Sequence, residues 1–386
     1  MVFDSTLRFK RSFFVGAIAA LSIGVGACGG EETAEAPADD TATTGGTEGD
    51  TEEVAQGGQT GEEISFNNLT LSGAGASFPA PLYQTWFSEI GQEYPGLQIN
   101  YQSVGSGAGI EQYLSGTVDF GATDAPLTDE ERQTFIDQYG TEPIQVPMTG
   151  GLVTFAYNLP GVEGDIRLTQ EAYCGIVTGE VATWDAEPIA SANPDLNLPS
   201  QDITWVHRSD GSGTTFLFTN HINTVCDNWE GGAAKTVDWP VGVGAKGNEG
   251  ISAQVQQTEG AVGYVEYTYA SENNIPVASL ENSAGNFIDP SPDAAALAFE
   301  GVEVPQDFAL LIPNPEGDDS YPIVGLTWML LYPEYDNEQT AKAIETMVDW
   351  AQNNGAEFAQ ELGYIPLPQG VGDRVKSTVE EEIAGL

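Results

Sequence analysis

An α/β fold is predicted by three features of this 386-residue chain: short alternating apolar runs that read as strands, amphipathic runs that read as helices, and glycine-rich turns where one passes into the other. LTLSGA (69–74) is the first strand. APLYQTWFSEIGQEY (80–94) follows as a helix, with Leu82, Trp86 and Ile90 at four-residue spacing on one face. LQINYQSV (97–104) alternates like a strand, GSGAG breaks it, and IEQYLSG (110–116) is a short helix before the strand VDFGA (118–122). TDEER opens a helix with Thr128 and Glu131 at capping-box spacing, and GLVTFAYN (151–158) reads as a buried strand. ITWVHR (203–208) alternates into a glycine-rich turn, from which SGTTFLFTNHINTV (212–225) continues as a helix. IVGLTWMLLY (323–332) is a late strand. The last long helix is DNEQTAKAIETMVDWAQNNG (336–355), with Asp336 and Gln339 at capping spacing and Gly355 placed to stop it.

Charge narrows the partners. The chain holds 58 Asp and Glu against 11 Lys and Arg, a formal net charge of −47. Nucleic acid and anionic membrane surfaces both need a basic patch, so neither is an expected partner. Such a balance suits a secreted protein in a saline habitat, where salt screens self-repulsion, or simply a well-solvated surface.

Arg8, Lys10 and Arg11 precede an apolar run that ends in small residues, which marks residues 1–27 as a signal peptide. Val25-Gly26-Ala27-Cys28 resembles a bacterial lipobox, and Cys28 is the expected acylation site. Removal of residues 1–27 takes away a net +2 and leaves −49, with eight basic residues. Residues 28–65 form an acidic stretch with no aromatic residue and no Lys or Arg, expected to be a disordered tether spanning at least ~30 Å on average. The remainder is long enough for two domains of ordinary size. Cys174 and Cys226 form an even pair in an exported chain, so a disulfide is expected; the alternative is two buried thiols.

The segment RSDGSGTT (208–215) gathers a guanidinium, a carboxylate, hydroxyls and two glycines in a chain poor in positive charge. It sits where a strand ends and a helix begins. Free N–H groups at such a helix start point outward, and glycine lets an anion approach them closely. Ser212 and Thr214 add hydroxyl donors, and Arg208 adds five N–H donors with permanent charge. Taken alone, the segment also reads as an N-capping turn beside a surface Arg–Asp pair. Two further turns share its grammar, GAGASFPAP (73–81) with Ser77 and VGSGAGIEQ (104–112) with Ser106, while FGATDAP (120–126) ends a strand on Asp124. An anion site includes a carboxylate when its ligand carries a proton. Asp210 has two readings, orienting Arg208 or capping the helix that follows.

GAGASFPAP, YQSVGSGAG, VDFGATDAPLTDEE, RSDGSGTTFLFT, KGNEGISAQV and GAVGYVEYTYA, in this order, closely resemble the PstS family, the phosphate-binding proteins of bacterial high-affinity phosphate ABC importers. The resemblance covers essentially all of residues 66–386. It implies a two-lobed periplasmic-binding-protein (Venus flytrap) fold with a hinge, closing over one phosphate ion. It places one lobe at 66–149 and 322–386 and the other at 150–321. Matched position by position, the implied ligands are Ser77, Phe78, Ser106, Asp124, Arg208, Ser212, Gly213 and Thr214, with Asp210 behind Arg208. The implied partners are phosphate and the permease subunits. A monomer outside the cytoplasm is expected, with no cofactor or metal and with membrane contact only through the lipid anchor.

Phosphate fits this set physically, because its proton can donate to Asp124 while the N–H and O–H groups satisfy its other oxygens. Sulfate has no proton and would press lone pairs against a buried carboxylate. Binding of another protonated oxyanion such as arsenate, sensing without transport, and adhesion remain as other readings. An enzyme is not expected: the two histidines are His207, directed away from Arg208 on the same strand, and His221, two turns into the next helix.

Overall fold

A computed structural model describes residues 64–384. The signal peptide, Cys28, all but the end of the tether, and the last two residues lie outside the described residues.

The main sheet has eight strands: β1 (Leu69–Gly75), β2 (Leu97–Ser103), β3 (Phe120–Thr123), β4 (Ile144–Tyr157), β5 (Thr204–Arg208), β6 (Val243–Ala245), β7 (Ala261–Glu266) and β8 (Val324–Leu331). They lie in the order β2-β1-β3-β8-β4-β7-β5-β6. β1 pairs in parallel with β2 and β3, and β5 in parallel with β6 and β7. β4 and β8 run antiparallel to their neighbours between these two groups. The helices that matter here are α1 (Ala80–Glu93), α2 (Ser106–Leu114), α3 (Asp129–Tyr139), α4 (Gln170–Thr178), α5 (Gly213–Val225), α6 (Gly247–Gln257) and α7 (Glu338–Asn354). The result is an α/β fold in which two groups of parallel strands are joined through β8 and β4.

β4 organises the sheet. All 14 of its residues are buried; eight of its first nine pair with β8, Met148 being passed over at a register shift, and from Val153 onward it pairs with β7. The strand predicted over 151–158 is only its second half. Pro147 breaks the apolar run in the sequence, yet it fits the strand because the ladder with β8 shifts register at Thr327/Trp328, opposite it. A second sheet of three short strands pairs Ser279–Glu281 with Arg167–Leu168 and Phe287–Ile288.

Local signals translate into local structure where the chemistry is local. Thr128 and Glu131 form the predicted capping box of α3. The cap of α7 is Asn337, one residue beyond the predicted Asp336, and its side chain accepts from the Thr340 N–H. Gly355 does not turn left-handed (φ −77°), and a further helix, Ala356–Leu362, starts there. Its lack of a side chain serves packing instead: a Cβ would sit 2.7 Å from the Trp86 ring, whose Nε1 donates to the Gly355 carbonyl. Cys174 on α4 and Cys226 at the end of α5 form the expected disulfide, with Cα atoms 5.5 Å apart.

Candidate anion-binding site

Each candidate residue stands where a strand of the main sheet gives way to a helix. Ser77 and Phe78 follow β1, Ser106 begins α2 after β2, Asp124 follows β3, and Arg208 ends β5 with Ser212, Gly213 and Thr214 opening α5. β5 runs opposite to β1, β2 and β3, three antiparallel steps away through β8, β4 and β7, and the turns at the C-terminal ends of the two groups meet although they lie up to 137 residues apart. All eight residues are buried.

Bonds between the turns tie the set together. Ser106 Oγ accepts from the Gly213 N–H at 3.0 Å and the Asp124 N–H at 3.4 Å. Thr214 Oγ1 lies 3.5 Å from Asp124 Oδ2 and donates to it. The Gly107 N–H donates to the Gly211 carbonyl at 2.9 Å, and Lys235 pairs with Glu131 at 2.5 Å. Gly213 is dictated by this proximity, since a Cβ there would lie 2.5 Å from the Asp124 nitrogen.

Arg208 is 4% exposed and held by a two-point pair with Asp210, Nε–Oδ1 at 2.8 Å and Nη2–Oδ2 at 2.6 Å. Burial alone would raise the Asp210 carboxyl; the bonds from Arg208 outweigh it and hold it below the usual carboxylate range. Of the two readings of Asp210, the geometry gives the orienting one, because the cap of α5 is Ser212, whose Oγ accepts from the Thr215 N–H at 3.0 Å. Asp210 also accepts from the Gly247 N–H at the start of α6. Arg208 is further placed by Tyr264, whose hydroxyl accepts its backbone N–H at 3.0 Å.

Asp124 is 1% exposed. Burial pushes its carboxyl up to about 7, against the lowering effects of Thr327, Arg208 and Thr214. Thr327 Oγ1 donates to Asp124 Oδ1 at 2.8 Å. Around this carboxylate stand hydroxyls, N–H groups and a guanidinium, so the cluster offers one acceptor amid many donors. That arrangement suits an oxyanion that retains one proton.

Sequence reasoning missed Thr327, Tyr264 and Asn248. Thr327 is a lone hydroxyl in an otherwise apolar buried strand, a signal that was visible without a partner to give it meaning. The histidines are otherwise engaged. His207 stacks on Trp239 with ring centroids 5.1 Å apart. His221 is fully buried between Tyr173 Oη (3.1 Å) and the Pro313 carbonyl (2.7 Å), and burial lowers it to about 4.

Comparison with known proteins gives the family. A family model described as "PBP superfamily domain" matches residues 32–354. The phosphate-binding protein PstS of Pasteurella multocida is 39% identical over 319 residues, covering 81% of this chain and 91% of that protein. The protein of the same name from Haemophilus influenzae is 37% identical over 319 residues, covering 81% and 93%. Among solved structures, a phosphate-binding protein from Stenotrophomonas maltophilia superposes with a TM-score of 0.66 at 20% identity, covering 82% of this chain and 97% of that one. A periplasmic phosphate-binding protein, PfluDING, solved with phosphate, gives a TM-score of 0.69 at 23% identity and covers 82% and 94%. The match to a superfamily model over most of the chain, together with close relatives along nearly their whole length, places this chain in the PstS family of the PBP superfamily.

Proposed function

We propose that this protein captures one inorganic phosphate ion between its two lobes outside the cytoplasm and delivers it to the permease of an ABC importer. Asp124 carries the reading: a single buried carboxylate among donors, facing Arg208, matches an oxyanion that is both charged and protonated. The ligand set is Ser77, Phe78, Ser106, Asp124, Arg208, Ser212, Gly213 and Thr214, and the relatives named phosphate-binding protein support it. The proposed lobes are 66–149 with 322–386, and 150–321. The change of partner along β4, from β8 to β7 after Leu152, supports a hinge there. Phosphate then bridges Ser77, Ser106 and Asp124 of one lobe and Arg208, Ser212 and Thr214 of the other, which favours closure. Binding without catalysis is the proposed activity, supported by the engagement of both histidines elsewhere. We further assign the protein as a monomer anchored through an acylated Cys28 at the outer face of the membrane.

Calorimetric titration with phosphate, arsenate, sulfate and molybdate tests this. Phosphate and arsenate, which keep a proton near neutral pH, are expected to bind one per chain, and sulfate and molybdate to bind far more weakly. Sulfate binding equal to phosphate binding would overturn it.

A further inference from the structure

Asn248 lies in the KGNEG segment, the second residue of α6, and is completely buried. Three side-chain bonds fix the orientation of its amide. Oδ1 accepts the Glu266 N–H at 3.1 Å, so the NH2 group faces the opposite way. One of its hydrogens meets Ser77 Oγ at 3.0 Å and the other Thr214 Oγ1 at 3.1 Å. The backbone N–H of Asn248 adds a second bond to Ser77 Oγ, at 3.1 Å. α6 has no side-chain cap of its own at Lys246, so Ser77 serves as its cap from a distant turn.

A hydroxyl has two lone pairs and one proton. Ser77 Oγ accepts twice from Asn248, which fills both lone pairs. Thr214 Oγ1 accepts from Asn248 Nδ2 and, more distantly, from Arg208 Nη1 at 3.5 Å. Each hydroxyl then has only its proton to offer; that of Thr214 points to Asp124 Oδ2 at the long distance of 3.5 Å and turns to the oxyanion when one is bound.

We propose that Asn248 is a positioning residue for the anion: its one amide occupies lone pairs of both Ser77 and Thr214 and thereby turns both hydroxyl protons toward the bound oxyanion. This deepens the phosphate reading and rests on it. Its consequence is that Ser77 and Thr214 act as donors only, which leaves Asp124 to receive the ligand's proton.

The test is phosphate binding by calorimetry and stopped flow for wild type, Asn248→Ala, Asn248→Asp and Thr214→Val, with the double variant Asn248→Ala/Thr214→Val. Asn248→Ala is expected to weaken phosphate about tenfold, through the off-rate. Asn248→Asp keeps the shape and the acceptor for Glu266 but draws the hydroxyl protons to itself, and its loss is expected to reach about a hundredfold. A residue that merely filled space would give the reverse order, because alanine leaves a cavity and aspartate does not. Aspartate also adds charge, so the double variant decides the route: in the Thr214→Val background, Asn248→Ala should cost clearly less than it does in wild type. Additive losses, or both single variants within about threefold of wild type, overturn the inference. If the melting curve shows that Asn248→Ala does not fold, Asn248→Ser takes its place in the cycle with the same two outcomes. Wild type that binds phosphate beside variants that match it removes only the role of Asn248. Wild type that fails to bind phosphate removes the functional reading, and this inference with it.

Discussion

Asp124→Asn is expected to weaken phosphate and admit sulfate. In the wild-type site the ligand's proton has one buried carboxylate to meet; Thr327 occupies Asp124 Oδ1 at 2.8 Å, while Oδ2, which Thr214 Oγ1 approaches only to 3.5 Å, keeps a lone pair for the ligand. A hydrogen bond to a charged group contributes about 1.5–3 kcal/mol, so its loss should weaken phosphate roughly 10- to 150-fold. The replacement amide keeps its oxygen toward Thr327 and turns its NH2 toward the anion, where it can donate to sulfate. The same relief is available to the wild type by protonation. Burial raises Asp124 to about 7, against Thr327, Arg208 and Thr214, so the carboxyl is mostly protonated one unit below that value and mostly ionised one unit above. Sulfate carries no proton in this range and needs the protonated form. Its affinity should therefore rise roughly tenfold between about pH 8 and about pH 6, while in Asp124→Asn it should be flat. Calorimetric titration with sulfate at several pH values, for both proteins, measures this. A wild-type sulfate affinity independent of pH, together with a variant that rejects sulfate as strongly as wild type, would refute Asp124 as the proton reader.

Gly213→Ala should cost at least about a hundredfold in phosphate affinity, since a Cβ 2.5 Å from the Asp124 nitrogen blocks the approach of the two turns; the ligand-free melting temperature should change little, and wild-type affinity in the titration would contradict the close approach. Glu266 should make the ligand-free protein less stable as pH rises. Tyr364 Oη donates to the Phe78 carbonyl at 2.7 Å and, at 3.3 Å, to Glu266 Oε2, and burial raises this carboxyl to about 8 against the lowering effects of the bonds from Thr268 and Tyr364. A folded-state pKa above the ordinary 4.5 means that its contribution is complete below about 4.5 and is lost as pH rises through about 8; Glu266→Gln should flatten that part of the melting-temperature profile, and an unchanged slope would count against it. Salt should speed phosphate association. The chain without residues 1–27 carries −49 and repels the anion at long range, and the Debye length shrinks from about 30 Å at 0.01 M to about 3 Å at 1 M; a stopped-flow on-rate that falls with salt would mean that Arg208 steers the ion despite its pairing with Asp210.

The α/β class and most of the candidate ligands were legible in the sequence because their signals are short. A capping box needs only Thr128 and Glu131, and a strand-to-helix turn such as RSDGSGTT carries its glycines, hydroxyls and guanidinium within eight residues. Even so, backbone geometry moved the α7 cap from Asp336 to Asn337, and the strand around Pro147 became readable only beside the register shift in β8. Side-chain partnerships across the chain were not legible at all. Thr327 reaches Asp124, 203 residues away, because β8 runs antiparallel to β3 with Trp328 opposite Thr123. Asn248 reaches Ser77 across 171 residues because α6 starts where β1 ends. Turn chemistry and periodicity are properties of neighbouring residues and are written into the sequence. Which hydroxyl loses its lone pairs, and which carboxyl keeps a proton, depends on burial and on donors brought from elsewhere in the chain, and those exist only once the sheet has formed.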